Sequence, residues 1–226
     1  NRYKAKYVLE CVKLGHDLSS RKLIKGLINC AIDKKIFNKK FNGLTEYLAN
    51  LCKITDEVML IYNKKLSISP LTTHIKLKNV SKNINKKVII KKIYSLNKNY
   101  KKLFKLKPKI AVLSLNPHNS EGRKDCEENK IIIPAIKRLR KLGIDAKGPF
   151  PADTIFLKQN NLKYNVIVGM YHDQVLAPFK ALYNFDAINI TLGLNYLRIS
   201  PDHGTARELM GLKKAKPDSL TKAIKF

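Results

Sequence analysis

Tryptophan is missing from this 226-residue chain, and acidic residues are scarce: 17 against 45 basic ones. No apolar run approaches the ~20 residues of a membrane-spanning helix, so a helical membrane protein is excluded as a reading. Asn1-Arg2-Tyr3-Lys4 has none of the apolar block of a signal peptide. The four cysteines (Cys11, Cys30, Cys52, Cys126) make no close pair and no metal-type spacing. They read as reduced thiols, and the expected compartment is cytoplasmic. Neither Gly-x-Gly-x-x-Gly nor a Walker loop occurs, which removes the two common phosphate fingerprints. There is no internal repeat and no low-complexity linker.

Arginine is scarce as well, at seven of the 45 basic residues. The formal charge of +28 invites a nucleic-acid reading, because phosphate backbones attract basic surfaces. Arginine, however, is the better reader of phosphates and bases. The lysines are spread widely and travel with Asn and Ile, a pattern of AT-biased codons. No basic–aromatic alternation offers a stacking platform for single strands. The densest run, Lys82 to Lys105, carries Val88, Ile89, Ile90, Ile93 and Leu96 at near-helical spacing, so its lysines read as a solvated helix face. No specific nucleic-acid partner and no membrane partner are expected.

What is present is enough apolar residue, 44%, for a real core, as one large domain or two small ones. Periodicity predicts a helix around Tyr7–Leu14, a buried strand over Leu23–Ile32, and a helix opening at Thr45 after the break at Gly43. Strands follow at Val58–Tyr62 and Ser67–Thr73, with Pro70 pushing the second toward a sheet edge. A basic helix should occupy about Val80–Phe104. The second half alternates more cleanly: strand Ile110–Leu115, helix Glu127–Leu142 stopped by Gly143, strand Val166–Met170, helix Val175–Leu182, strand Ala187–Leu192. A last helix is expected at Thr205–Met210, capped by Asp202 or Thr205. Alternation of this kind predicts an α/β fold with a largely parallel sheet.

Three polar motifs stand at or near the ends of strand-like runs: Thr72-Thr73-His74, Asn116-Pro117-His118 and Tyr171-His172-Asp173-Gln174. Strand carboxyl ends are where α/β sheets bind ligands. Singly, each histidine reads as an ordinary loop residue; together they fit an open divalent-metal site with positions left for substrate. Imidazole ligands alone do not choose the ion. Asp173 either orients a ligand or serves as a cap or ion-pair partner. Lys180, Asn189 and Arg198 follow at nine-residue intervals, a kit suited to a phosphorylated substrate. Asp202-His203-Gly204-Thr205-Ala206 reads as a donor-rich turn before a helix, of the kind that binds phosphate or ribose.

Several longer segments carry a resemblance. They are Leu115-Asn116-Pro117-His118-Asn119-Ser120-Glu121-Gly122, Gly148-Pro149-Phe150-Pro151-Ala152-Asp153-Thr154, Tyr171-His172-Asp173-Gln174, Asn189-Ile190-Thr191-Leu192-Gly193-Leu194 and Arg198-Ile199-Ser200-Pro201-Asp202-His203-Gly204-Thr205-Ala206. In order and spacing the chain resembles the 4-hydroxythreonine-4-phosphate dehydrogenase family, most closely after Lys109. The resemblance implies oxidation of 4-phosphooxy-L-threonine by NAD, or NADP, then decarboxylation to 3-amino-2-oxopropyl phosphate on the way to pyridoxal 5'-phosphate. It implies an isopropylmalate-dehydrogenase-like fold, two α/β domains with an active-site cleft between them. On that pattern residues 1–36 and 186–226 are the remnant of a discontinuous, incomplete first domain on the cofactor side, and 37–185 the central substrate and dimerisation domain.

The resemblance further implies a homodimer whose divalent ion (Zn, Mg or Co) is shared, with His74 and His118 from one chain and His172 from its partner. Thr45, Lys180, Asn189 and Arg198 match substrate-binding positions. His203, Gly204, Thr205 and Ala206 resemble the stretch that cradles the nicotinamide dinucleotide. Lys180 and Asp173 are the candidate catalytic residues, and the general base stays open between Lys180 and a metal-bound hydroxide. Three departures stand out. The family's Gly-His-Thr-Glu is Gly43-Leu44-Thr45-Glu46 here, its usual Gly-Pro near the start is Cys30-Ala31, and its Gly-Asp-Pro-type N-terminal loop is absent. The expectation is therefore a piece of a longer enzyme or a decayed copy. Two rival readings follow: a paralogue acting on 4-phospho-erythronate or 4-phospho-threonate, and a non-catalytic remnant.

Overall fold

The computed structural model describes residues 2–37, 41, 43–157, 160 and 163–226. In chain order the regular elements are α1 (Arg2–Ser20), β1 (Gly26–Ile28), α2 (Leu44–Leu51), β2 (Val58–Tyr62), β3 (Ser67–Thr72), α3 (Val80–Asn83), α4 (Lys86–Phe104) and β4 (Ile110–Leu113). Then come α5 (Ile133–Lys141), β5 (Ala146–Phe150), α6 (Ala152–Ile155), β6 (Val166–Tyr171), α7 (His172–Tyr183), β7 (Ile188–Leu192), β8 (Leu197–Pro201) and α8 (Asp218–Lys225). The α/β class expected from the alternation is the one observed. No helix among the described residues is long and apolar enough to cross a membrane.

The chain divides into two compact units, Asn1–Met59 with Phe185–Phe226, and Leu60–Asn184. Residues 37–59, expected in the central domain, group with the first unit. The reason is packing: Phe37, Leu44 and Leu48 join Val12, Leu194 and Tyr196 in one buried cluster. In this unit β7 and β8 pair antiparallel, Ile188 opposite Pro201 and Thr191 opposite Arg198. Strand β1 adds parallel to β8, Gly26 opposite Leu197. Helix α8 is tied down by Ser219, whose hydroxyl donates to the Ala187 carbonyl at 2.6 Å and accepts from the Asp202 N–H at 2.9 Å.

Two expectations fail in the first unit. The strand predicted over Leu23–Ile32 shrinks to Gly26–Ile28. Helix α1 runs on to Ser20 and ends in a Schellman turn: Lys22 is left-handed (φ 61), its N–H bonds to the Ser19 carbonyl, and the Leu23 N–H bonds to that of Leu18. The start of the apolar run is thus spent closing a helix. The helix predicted over Thr205–Met210 is a single 3-10 turn, Arg207–Leu209, and Asp202 is buried against α8 rather than capping it.

The second unit is built on the strand order β2-β3-β6-β4-β5. Strands β3, β6, β4 and β5 run parallel, and only β2 is antiparallel, to β3. Pro70 does not sit on a sheet edge: β3 lies between β2 and β6. Its antiparallel ladder comprises Ile61 with Ile68 and Tyr62 with Ser67, so Pro70 stands beyond it where no N–H is required, while it pairs with Gly169 of β6. The basic helix breaks at Ile84–Asn85, where the Asn85 side chain caps α4 by accepting from the Val88 N–H at 2.9 Å. Its face of Ile89, Ile93, Leu96 and Tyr100 is buried, and Lys87, Lys91, Lys98 and Lys101 face solvent, as the spacing predicted. Burying each such apolar side chain stabilises the fold by about 1.5–3 kcal/mol.

Candidate functional site

The strand order brings the three motif histidines to one end of the second unit's sheet. His74 follows β3, His172 follows β6 and His118 follows β4, and β3, β6 and β4 are consecutive parallel neighbours. Pairing of Thr72 with Tyr171 ends β3 and β6 at the same level, and the Thr72 hydroxyl donates to the Met170 carbonyl at 2.7 Å. Two residues past one strand and one past the other, the His74 and His172 rings lie 5.8 Å apart between centroids.

His172 opens α7 directly from β6. Its Nδ1 lies 2.7 Å from Asp173 Oδ1, so the ring N–H donates to the carboxylate and Nε2 keeps a lone pair for a ligand. This is how proteins orient metal-binding imidazoles. Gln174 locks the same turn from within. Its Oε1 accepts from the Met170 N–H and its Nε2 donates to the Ser114 carbonyl, both at 2.7 Å, tying the end of β6 to the segment after β4.

His118 stands in an unusual turn. His118, Asn119, Ser120 and Glu121 all have positive φ, from 49° to 55°, a full left-handed turn without glycine. Such residues cost about 1–2 kcal/mol each. What opposes that cost is Glu128, only 1% exposed. Its carboxylate accepts from the N–H groups of Leu115 (2.9 Å) and Asn116 (2.8 Å), from the Asn116 amide (3.1 Å) and from the Ser120 hydroxyl (2.7 Å). Hydrogen bonds to a charged group contribute about 1.5–3 kcal/mol each, and these pin the turn at Ser120 within it and at Leu115 and Asn116 just before it. Burial pushes the Glu128 pKa up, but these bonds, led by the Asn116 N–H and the Ser120 hydroxyl, outweigh it and bring it to about 2. Glu127 beside it is also held below the usual range, by the Ser81 hydroxyl and the Asn116 amide. Glu128 begins a π-helical turn (Glu128–Ile132) that leads into α5.

The His118 turn borders a cavity of about 250 Å³ whose lining includes Asn116, His118, Asp153, Tyr171 and Gln174. The His74 and His172 rings thus lie close together within one chain, and His118 stands at this neighbouring cavity. Among the described residues of the single chain, no three His, Cys, Asp or Glu side chains gather closely enough to hold a metal. The donor set still fits a divalent transition ion, with two adjacent imidazoles, one of them oriented by a carboxylate. Lys180 lies half-buried on α7, seven residues after Asp173 and so on the same helical face.

The first unit holds the other candidates. Register puts Asn189, Thr191, Arg198 and Ser200 on one face of the β7–β8 pair. Arg198 is buried, with Nε donating to Asn29 Oδ1 and Nη1 to the Thr191 hydroxyl, both at 2.9 Å. Burial lowers its pKa to about 10, with Tyr196 and Glu46 pulling the other way, so it stays charged at neutral pH. Asn189 Oδ1 is buried and accepts no hydrogen bond among the described residues. An unmet buried acceptor costs about 1–3 kcal/mol, which favours a bound donor there. Thr45 is buried in the first turn of α2. Leu44 beside it packs in the apolar cluster with Val12 and Tyr196.

The stretch proposed for the dinucleotide fits less well. His203, Gly204 and Thr205 are exposed, Ala206 is partly so, and only the three-residue turn Arg207–Leu209 follows. Among the described residues no helix N-terminus stands there to cradle a phosphate.

Sequence reasoning missed Glu127, Glu128, Gln174 and Asn29. Gln174 was visible as part of its motif but had no role; the two glutamates stand out only as a paired charge in an acid-poor chain.

Residues 1–226 match the family described as pyridoxal phosphate biosynthetic protein PdxA. The 4-hydroxythreonine-4-phosphate dehydrogenase of Sulfurihydrogenibium sp. is 43% identical over 188 residues, covering 82% of this chain and 58% of its own length. The D-threonate 4-phosphate dehydrogenase of Salmonella typhimurium is 36% identical over 220 residues, covering 96% of this chain and 67% of its own. A crystal structure of the Klebsiella pneumoniae 4-hydroxythreonine-4-phosphate dehydrogenase superposes with a TM-score of 0.87 at 31% identity, over all of this chain and 70% of that one. The chain thus spans little more than half the length of the Sulfurihydrogenibium relative.

Proposed function

Because this chain belongs to the PdxA family, we propose that it forms part of a cytoplasmic dehydrogenase that oxidises 4-phosphooxy-L-threonine at its carbinol carbon. The β-keto acid formed then loses CO2 to give 3-amino-2-oxopropyl phosphate, a step toward pyridoxal 5'-phosphate. The observation that carries this reading is the delivery of His74, His172 and His118 from the carboxyl ends of three adjacent strands, with Asp173 orienting His172.

In this reading His74, His118 and His172 hold a divalent ion (Zn, Mg or Co) with ligands pooled between two copies of the chain. When bound, the ion lowers the energy of negative charge on the substrate oxygen. Asp173 fixes the His172 tautomer. Arg198 supplies a buried positive charge for the phosphate, and the unmet Asn189 oxygen accepts from a substrate hydroxyl or ammonium. Thr45 adds a hydroxyl to the substrate set. Lys180 is the candidate to take the carbinol proton. NAD or NADP is the proposed hydride acceptor; the exposed His203–Ala206 stretch is not assigned its phosphates.

A second reading is raised by one observation: a D-threonate 4-phosphate dehydrogenase is 36% identical to this chain over 96% of its length. That substrate, 4-phospho-threonate, and the related 4-phospho-erythronate lack the ammonium group of 4-phosphooxy-L-threonine. The test follows nicotinamide reduction with metal and each substrate in turn. Turnover of 4-phosphooxy-L-threonine above the phospho-acids supports the first reading, and the reverse order supports the second. No turnover of any of them by the full-length protein overturns both readings.

A further inference from the structure

The Glu128 carboxylate does more than fill a buried site. His118 is flanked at two residues' distance by Asn116 and Ser120, and Glu128 grips both. One oxygen takes the N–H groups entering the turn, and the other takes the Ser120 hydroxyl within it. Glu127 secures the Asn116 amide from the other side at 2.9 Å and is held in turn by Ser81 of α3. Asn119 donates to the Pro149 carbonyl at 3.2 Å, anchoring the far edge. A left-handed turn of four non-glycine residues persists only where its surroundings over-determine it. The widened π-helical turn at Glu128–Ile132 is a local distortion of the kind that recurs beside functional sites.

We propose that Glu128 is a positioning residue that holds the left-handed His118 turn in the conformation needed for metal binding, with Glu127 bracing Asn116. This rests on reading His118 as a metal ligand. Glu128 does not touch the ion; it acts by fixing the backbone on both sides of the imidazole. Outer partners of metal ligands commonly contribute 10–100-fold in affinity.

The test titrates Co(II) into the metal-free protein, reading both affinity and the visible absorption spectrum of the bound ion. Glu128→Ala is expected to weaken binding about 10–100-fold and to alter the spectrum. Glu128→Gln, which keeps an oxygen for the Leu115 and Asn116 amides, should recover part of the loss, and Ser120→Ala should give a smaller loss with the carboxylate intact. Ile93→Ala, a cavity in α4 that lowers Tm without touching the turn, should leave affinity and spectrum unchanged. If Glu128→Ala does not fold, Ser120→Ala and Glu128→Gln carry the test. Wild-type affinity and spectrum in the folded Glu128 and Ser120 variants overturn the clamp if His118→Ala still weakens binding. Unchanged binding in His118→Ala overturns the ligand reading itself.

Discussion

Leu44 and Glu128 show how differently two neighbours of candidate ligands are placed. Leu44 stands where the resemblance leads one to expect a histidine, but its side chain is 8% exposed inside an apolar cluster. Leu44→His would replace favourable burial with an imidazole lacking partners and should destabilise the protein by about 2–4 kcal/mol, seen as a lower urea midpoint. An unchanged midpoint would place that side chain outside the core. Glu128 makes an acid-stability prediction with a definite sign. Its pKa is about 2 when folded against 4.5 ordinarily, so its contribution, about 3 kcal/mol, is present above pH 4.5 and is lost as pH falls toward 2. Glu128→Gln should flatten that part of the pH–stability curve; a parallel curve would refute it. The histidines and Arg198 stand out in the sequence because those residue types are scarce, and Asn189 because it interrupts an apolar strand. Glu128 does not, because an acid near a helix start reads as an ordinary favourable charge. Its partners lie 12 and 13 residues earlier, at backbone amides that no spacing rule links to it.

At the scale of elements, β2, β3, β4 and β6 of the second unit were readable because each is a short, largely buried run, whereas β5 (Ala146–Phe150) was not, its Lys147, Gly148 and Pro149 reading as loop. The α4 lysines were readable because helical spacing separated them from Ile89 and Ile93. Strand β1 was not, since its apolar neighbours Leu23 and Ile24 belong to the end of α1 and the turn after it, and hydropathy does not distinguish a Schellman turn from a strand. The helix after Ala206 failed because its promising turn residues lead into an exposed chain with little to pack against. Gly26 explains why β1 exists at all: a Cβ there would lie 2.4 Å from the Leu197 carbonyl oxygen. Gly26→Ala should therefore push β1 off β8 and cost about 2–3 kcal/mol. Hydrogen exchange at the Asn29 N–H, bonded to Ile199 at 3.2 Å, should quicken, and unchanged protection would show that the strand had accommodated the methyl.

For the whole molecule the dominant physical fact is the net charge of +28. Self-repulsion of this size opposes the compact state, and salt relieves it as the Debye length shrinks from about 30 Å at 0.01 M to about 8 Å at 0.15 M. The melting temperature should rise by a few degrees across that range; a flat or falling Tm would mean that the lysines repel too weakly to matter. The discontinuity of the first unit has a consequence in time. On a ribosome adding roughly 5–20 residues per second, α1 and β1 emerge roughly 8–30 seconds before β7 and β8. For that interval Gly26–Ile28 lacks the neighbour it pairs with, and Val12 waits uncovered for Leu194 and Tyr196. The second unit, whose strands and helices are contiguous in the chain, is free to fold while the first is still a nascent segment suited to a chaperone's grip.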